Sequence, residues 1–173
     1  MPTLAHWTSM LDSDNLRIRV RAARHLVTRA DTPLDVLVTI LTELSDQGLG
    51  AGTRLALLGR TDPDLADRMG DCLVSSTPFA RETACDVLAR LGDPRAATDV
   101  LPLLDDPVWP VRRAAIIALG MLGDRSAVAP LRERYLDVGD ANLELALYGA
   151  LQQLDGFDGL PSPSWRAGHA PPD

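Results

Sequence analysis

Aspartate recurs every thirty-one residues along this chain, at Asp31, Asp62, Asp93, Asp124 and Asp155. Two further columns keep the same step: Leu26, Leu57, Leu88, Leu119 and Ala150, and Ala22, Thr53, Ala84, Ala115 and Ala146. A fixed period with a repeating local pattern means that each unit buries its apolar face against its neighbours. The chain is therefore a row of similar supersecondary units, not one closed enzyme core.

Each unit reads as helix A, a turn at the periodic Asp, and helix B. In the fourth unit Val111, Ala115 and Leu119 share a face at i, i+4, i+8 spacing, and Ala127, Leu131 and Tyr135 repeat that spacing after the turn Leu122-Gly123-Asp124. The corresponding helix B triplets are Ala96, Val100, Leu104; Leu65, Met69, Leu73; and Leu34, Val38, Thr42. Val38, Met69, Val100 and Leu131 then mark the centre of the buried side. The dipeptides Asp62-Pro63 and Asp93-Pro94 predict an N-capping carboxylate ahead of a proline at the first helical position, with Asp31 and Asp124 placed similarly. Thr3–Leu11 predicts a short amphipathic helix. The expected organisation is an N-terminal capping helix within residues 1–14, a repeat region over 15–156, and a Pro/Gly-rich tail over 157–173 with Trp165 as its candidate anchor. Trp109 reads as an inter-repeat packing residue.

Composition narrows the function. The net charge of -7 and pI near 4.8 oppose binding a phosphate backbone over a broad surface and favour a partner with basic character. The seventeen basic residues are all arginine, which excludes lysine chemistry and suggests a GC-rich bacterial source. Cys72 and Cys85 fall in helical runs as small buried residues, with neither disulfide nor metal-ligand spacing. With no long apolar run, a soluble cytoplasmic protein that does not enter membranes is expected.

The run Asp106-Pro107-Val108-Trp109-Pro110-Val111-Arg112, followed by Ala114-Ala115, Leu119-Gly120 and Leu122-Gly123-Asp124, resembles the HEAT repeat. More narrowly it resembles the short HEAT-like repeat of the phycobilin-lyase type. The resemblance covers roughly Leu11 to Asp155, with unit two lacking the Arg and unit five slipped by one residue. It implies an all-α fold, a right-handed α-α superhelix (HEAT-like solenoid) of about four and a half two-helix repeats of ~31 residues. It also implies that Arg19, Arg81 and Arg112 join a polar ladder with acids at the repeat turns, and that B helices line a concave binding surface.

On that surface the helical geometry places Asp67, Asp71, Thr98, Pro102, Asp105 and Glu133 opposite the buried side, with Arg68, Asp99 and Arg132 at the flanks. Acids outnumber bases there. A second patch, Arg17, Arg21 and Arg24, lies on one face of the first helix A, with His25 beside it. His6, His25 and His169 are far apart in the chain, and neither a catalytic constellation nor a phosphate loop is present, so no enzyme and no cofactor are expected. The expectation is a non-catalytic scaffold or adaptor binding a protein or peptide through the concave surface. Assembly factor and immunity protein fit equally. The alternatives are a subunit of a bilin lyase or isomerase and a HEAT-like DNA glycosylase.

Overall fold

The computed structural model describes residues 3–163. Among them the regular structure is entirely helical: α1 (Leu4–Ser9), α2 (Leu16–Val27), α3 (Leu34–Leu44), α4 (Gly50–Leu58), α5 (Leu65–Cys72), α6 (Pro78–Leu91), α7 (Ala97–Val100), α8 (Trp109–Leu122), α9 (Val128–Leu136) and α10 (Ala141–Gln153), with short 3-10 turns between several of them. The chain divides into two compact units between Val87 and Leu88, inside α6. Trp165 and His169 lie outside the described residues.

The periodic apolar columns form the cores. Leu26, Leu57, Leu88, Leu119 and Ala150 are all buried, as are Ala22, Thr53, Ala84 and Ala115. In the first unit Trp7, Ala22, Ala23, Leu26, Ile40, Leu44 and Leu49 pack together, and Leu4 and Leu11 lean on them. The indole of Trp7 stacks on the His25 ring at 4.0 Å, so the short α1 is fastened along α2. Met69, Val100 and Leu131 are buried. Helix α3 departs from the expected register: Leu37, Ile40, Leu41 and Leu44 are buried, whereas Val38 is only partly so. With apolar residues at almost every position from Leu34 to Leu41, periodicity could not choose the face, and packing did.

Two kinds of turn divide the units. After α6 and α8 the chain passes through Gly92 and Gly123 with φ of 71° and 75°, the left-handed conformation that closes a helix without a Cβ penalty. The chain reverses at once, and the next residue caps the following turn. Asp93 accepts from the Arg95 amide at 3.0 Å and Asp124 from the Ser126 amide at 2.8 Å. Asp31 and Asp62 do not cap, contrary to expectation. No left-handed glycine precedes them, and no 3-10 turn starts at the next residue as it does at Pro94 and Arg125, so there is no helical turn for them to cap. Each carboxylate is gripped by an arginine two residues earlier, Asp31 by Arg29 and Asp62 by Arg60.

Arg60 does more than hold Asp62. Its Nη1 also donates to the Thr32 carbonyl at 2.9 Å and the Ala30 carbonyl at 3.3 Å, tying the second turn to the first. The hydrogen bonds from Arg60 hold the Asp62 carboxyl below the ordinary carboxylate range. Because the folded value is depressed, the stabilisation is complete above the ordinary value, about 4. It is lost as pH falls through the folded one. Arg60→Ala is expected to cost about 1–2 kcal/mol at pH 7 after solvent screening. It is also expected to flatten the loss of stability as pH falls below about 4. Urea midpoints at neutral and acid pH check both. Equal acid sensitivity in wild type and variant would sink the assignment.

A second periodic device opens the A helices. Ser13, Ser75 and Asp106 occupy one column and accept from the amides two residues on, Asn15, Thr77 and Val108, at 3.2, 3.2 and 2.8 Å. Arg81 and Arg112 fold back onto carbonyls of the same loops. Arg81 donates to Ser75 at 2.8 Å, and Arg112 donates to Asp106 at 2.7 Å. Their column-mate Arg19 pairs instead with Glu43. In the second repeat the column holds Gly50, and a Cβ there would lie 2.7 Å from the Phe79 ring. In that repeat the Phe79 ring stands where the side chain of this column would begin.

Candidate protein-binding surface

Acidic side chains collect on the B helices of each unit. In the first unit Asp67 and Asp71 are exposed one turn apart on α5. Arg68, beside them, bridges Asp35 at 2.6 Å and Asp64 at 3.9 Å, so its charge is already shared. On α6, Glu82 and Asp86 converge on Arg54 of α4. Cys72 lies beneath this face, and burial, then the Asp71 charge, pushes its thiol up to about 11. At neutral pH it is a protonated packing group.

In the second unit Thr98 and Asp99 are exposed on the short helix α7. A groove of about 490 Å³ opens beyond them, bordered by the turn Leu101–Asp105, α8, the end of α9 and the start of α10. Its floor is Leu104, Ile116, Leu143 and Leu147, and its rim carries Asp105, Arg112, Glu133, Arg134, Asp137 and Asp140. Several of these charges are committed. Arg134 pairs with Asp105 at 2.6 Å, Arg112 holds the loop carbonyls, and Asp140 caps α10 through the amides of Asn142 and Leu143.

Glu133 and Asp137 remain uncommitted, with no ion-pair partner among the described residues. They sit one turn apart at the C-terminal end of α9. Like charges at i, i+4 repel, and the negative end of the helix dipole disfavours both.

Of the expected groove residues in this unit, Asp105 and Glu133 line the cavity, and Thr98, Asp99, Pro102 and Arg132 do not. Arg132 is corrected: its Nη1 donates to the carbonyls of Gly156 at 2.7 Å and Asp158 at 2.8 Å. It therefore clamps the segment after α10 and is not free for a partner. Phe157 meets Tyr135 and Tyr148 in T-shaped ring contacts, and the Tyr135 hydroxyl donates to the Pro161 carbonyl at 3.0 Å. The start of the tail is thus held down. Asp137 also lines the cavity, and its spacing from Glu133 marks the two in the sequence as a like-charge pair at a helix end. Trp109 is also corrected. It is 52% exposed, because Val111 and Ala115 face the core of α8 and turn the first helical residue outward.

In the first unit Arg17, Arg21 and Arg24 are exposed along α2 and, with Leu16, Val20 and Gln47, line a second groove of about 330 Å³. His25 does not belong with them, since its ring is engaged by Trp7. Among the described residues no helix is long and apolar enough to cross a membrane.

Paired helices packed through periodic Leu and Ala columns, with a hydrogen-bonded loop ahead of α2, α6 and α8 and a back-folded arginine on α6 and α8, define a helical-repeat protein. The family model described as HEAT repeats matches residues 66–152, half of the chain, and the chain belongs to that family. No curated protein matches it. Among solved structures it is similar to the complex of CpcE and CpcF of phycocyanin lyase from Nostoc sp. PCC7120, at 25% identity and a TM-score of 0.62, covering 89% of this chain and 65% of that one. The chain thus spans slightly less than two thirds of that relative's length. It also shares its fold with an engineered protein, at 18% identity and a TM-score of 0.57, covering 88% of this chain and 79% of that one.

Proposed function

We propose that this HEAT-repeat chain is a non-catalytic protein-interaction module of the cytoplasm, receiving a basic segment of a protein partner on its acidic B-helix surfaces. The observation that carries the reading is the uncommitted pair Glu133 and Asp137 beside an apolar floor. An arginine or lysine of the partner has an aliphatic stem for that floor and a cationic head for the two carboxylates. Its arrival relieves the repulsion between them and satisfies the negative end of α9. Asp67 and Asp71 on α5, with Thr98 and Asp99 on α7, extend the same polarity in their own units. A scaffold, adaptor or assembly role follows from such binding. The exposed carboxylates Asp67, Asp71, Asp99 and Glu133 oppose a phosphate backbone, which counts against a DNA glycosylase.

The test is affinity capture with quantitative mass spectrometry, comparing wild type, Glu133→Arg with Asp137→Arg, and Asp67→Arg with Asp71→Arg. A protein retained by wild type and reduced about tenfold or more by the first variant supports the reading. An unchanged catch from both variants overturns it. The likeness to the phycocyanin lyase complex supports a second reading, a subunit of a bilin lyase. Titration of the purified chain with a bilin, followed by visible absorbance, separates the two: a saturable spectral change favours the lyase subunit.

A further inference from the structure

Most arginines of the described chain have a stated task. Arg19, Arg29, Arg54, Arg60, Arg68, Arg95 and Arg134 pair with carboxylates, while Arg81, Arg112 and Arg132 hold backbone carbonyls. Among the described residues Arg113 and Arg125 show no partner either, but each stands alone, whereas Arg17, Arg21 and Arg24 stand together on one helix. Among the described residues their guanidinium groups meet neither a carboxylate nor a carbonyl, although the protein carries a net charge of -7. They also stand at i, i+4 and i+7, so neighbours along the stripe repel. Arg17 lies in the first turn of α2, where the helix dipole disfavours a cation, and that turn contains no acid. The fold thus keeps three mutually repelling cations unneutralised on one exposed face.

The same face is not purely polar. The three arginines surround a groove of about 330 Å³ whose remaining walls are Leu16, Val20 and Gln47. Leu16 is 47% exposed, and Ile18 nearby is exposed as well. Guanidinium forks around a small apolar recess fit carboxylates flanking an apolar side chain.

We propose that this face of α2 is a second docking surface, for an acidic amphipathic segment of a protein partner. One apolar side chain enters the recess beside Leu16 and Val20, and neighbouring Asp or Glu carboxylates pair with Arg17, Arg21 and Arg24. Nucleic acid fits the face less well. Three cations fall short of the roughly six to ten phosphate contacts that carry strong electrostatic binding. The overall negative charge also opposes long polyanions. The inference does not depend on the acidic groove of the second unit, because the two surfaces take partners of opposite charge.

The test uses the full chain and a defined probe, a fluorescein-labelled synthetic helical peptide with Leu at i and i+4 and Glu at the flanking positions. Anisotropy titrations compare wild type with Arg17→Gln/Arg21→Gln/Arg24→Gln, a set of exposed substitutions whose folding is checked by circular dichroism. Leu16→Ser tests the apolar component alone. Saturable binding that weakens about tenfold or more in the triple variant, and less in Leu16→Ser, establishes the surface. The Glu133→Arg/Asp137→Arg variant is expected to bind this peptide as well as wild type does. Failure of the basic-partner reading would therefore leave this result standing. Equal binding by wild type and the triple variant, or no saturable binding, overturns the proposal. So does tighter arginine-dependent binding of transfer RNA or of phosphatidylserine vesicles. Self-association abolished by the triple variant would assign the face to a second copy of the chain and overturn it too.

Discussion

Leu57→Ala is expected to destabilise the protein by about 2–5 kcal/mol, the range for deleting a fully buried leucine side chain. Leu57 is the second-repeat member of the periodic leucine column and is 0% exposed. Its loss leaves a void lined by the neighbouring helices, which relax only in part. Leu55, two residues earlier on α4, is 73% exposed, and Leu55→Ala is expected to change stability by less than about 0.5 kcal/mol. Urea unfolding followed by circular dichroism gives both numbers, with separate transitions fitted where the repeats unfold in parts. Similar midpoints for the two variants would mean that α4 presents a different face to the core.

The second large effect concerns a residue with no side chain. Gly120 lies within α8 and packs against α10; a Cβ at this position would stand 2.8 Å from the Ala150 Cα and 3.0 Å from its Cβ. The Gln153 side chain, 2.6 Å away, can rotate aside, but the backbone of α10 cannot. Alanine normally gains about 1 kcal/mol over glycine inside a helix. Here the gain is outweighed, because α8 and α10 must separate. Gly120→Ala is expected to lose about 1–3 kcal/mol net. Gly149→Ala is the opposite case. It lies inside α10 with nothing within 4 Å of the added methyl, and is expected to gain up to about 1 kcal/mol. Thermal melts of the pair settle the sign at each site. A stabilised Gly120→Ala would show that the two helices are not in such close contact.

These two positions also mark how far the sequence could be read. The leucine column was legible because its step is constant and a buried site tolerates only an apolar group. The small residues of α8 and α10 were legible as helical, but not as the place where two backbones meet. The acidic character of the B helices could be counted in advance. Which acids stay uncommitted could not, since Asp105 and Asp140 are taken by Arg134 and an N-cap while Glu133 and Asp137 are not. Arg132 and Arg134 are two residues apart in one helix, yet one clamps the segment after α10 and the other an acid of the previous repeat. Spacing on a helix tells which way a side chain leaves the axis, not what waits at its tip.

The sequence by itself determined the repeat length, the helical nature of every unit, the Leu and Ala columns of the core, and the HEAT family. All of these follow from local periodicity and from the bulk preference of apolar groups to leave water, which act the same way in every repeat. Tertiary structure alone decided where the repeats differ. It set the face that α3 buries, the place of the Phe79 ring against Gly50, and the use of Asp62 as an arginine clamp instead of a cap. It also decided which charges are left free to meet a partner. Apart from the Asp62 pairing, whose arginine is two residues away, those outcomes depend on neighbours in other helices, and close packing and charge pairing select among options that local sequence leaves equal in energy.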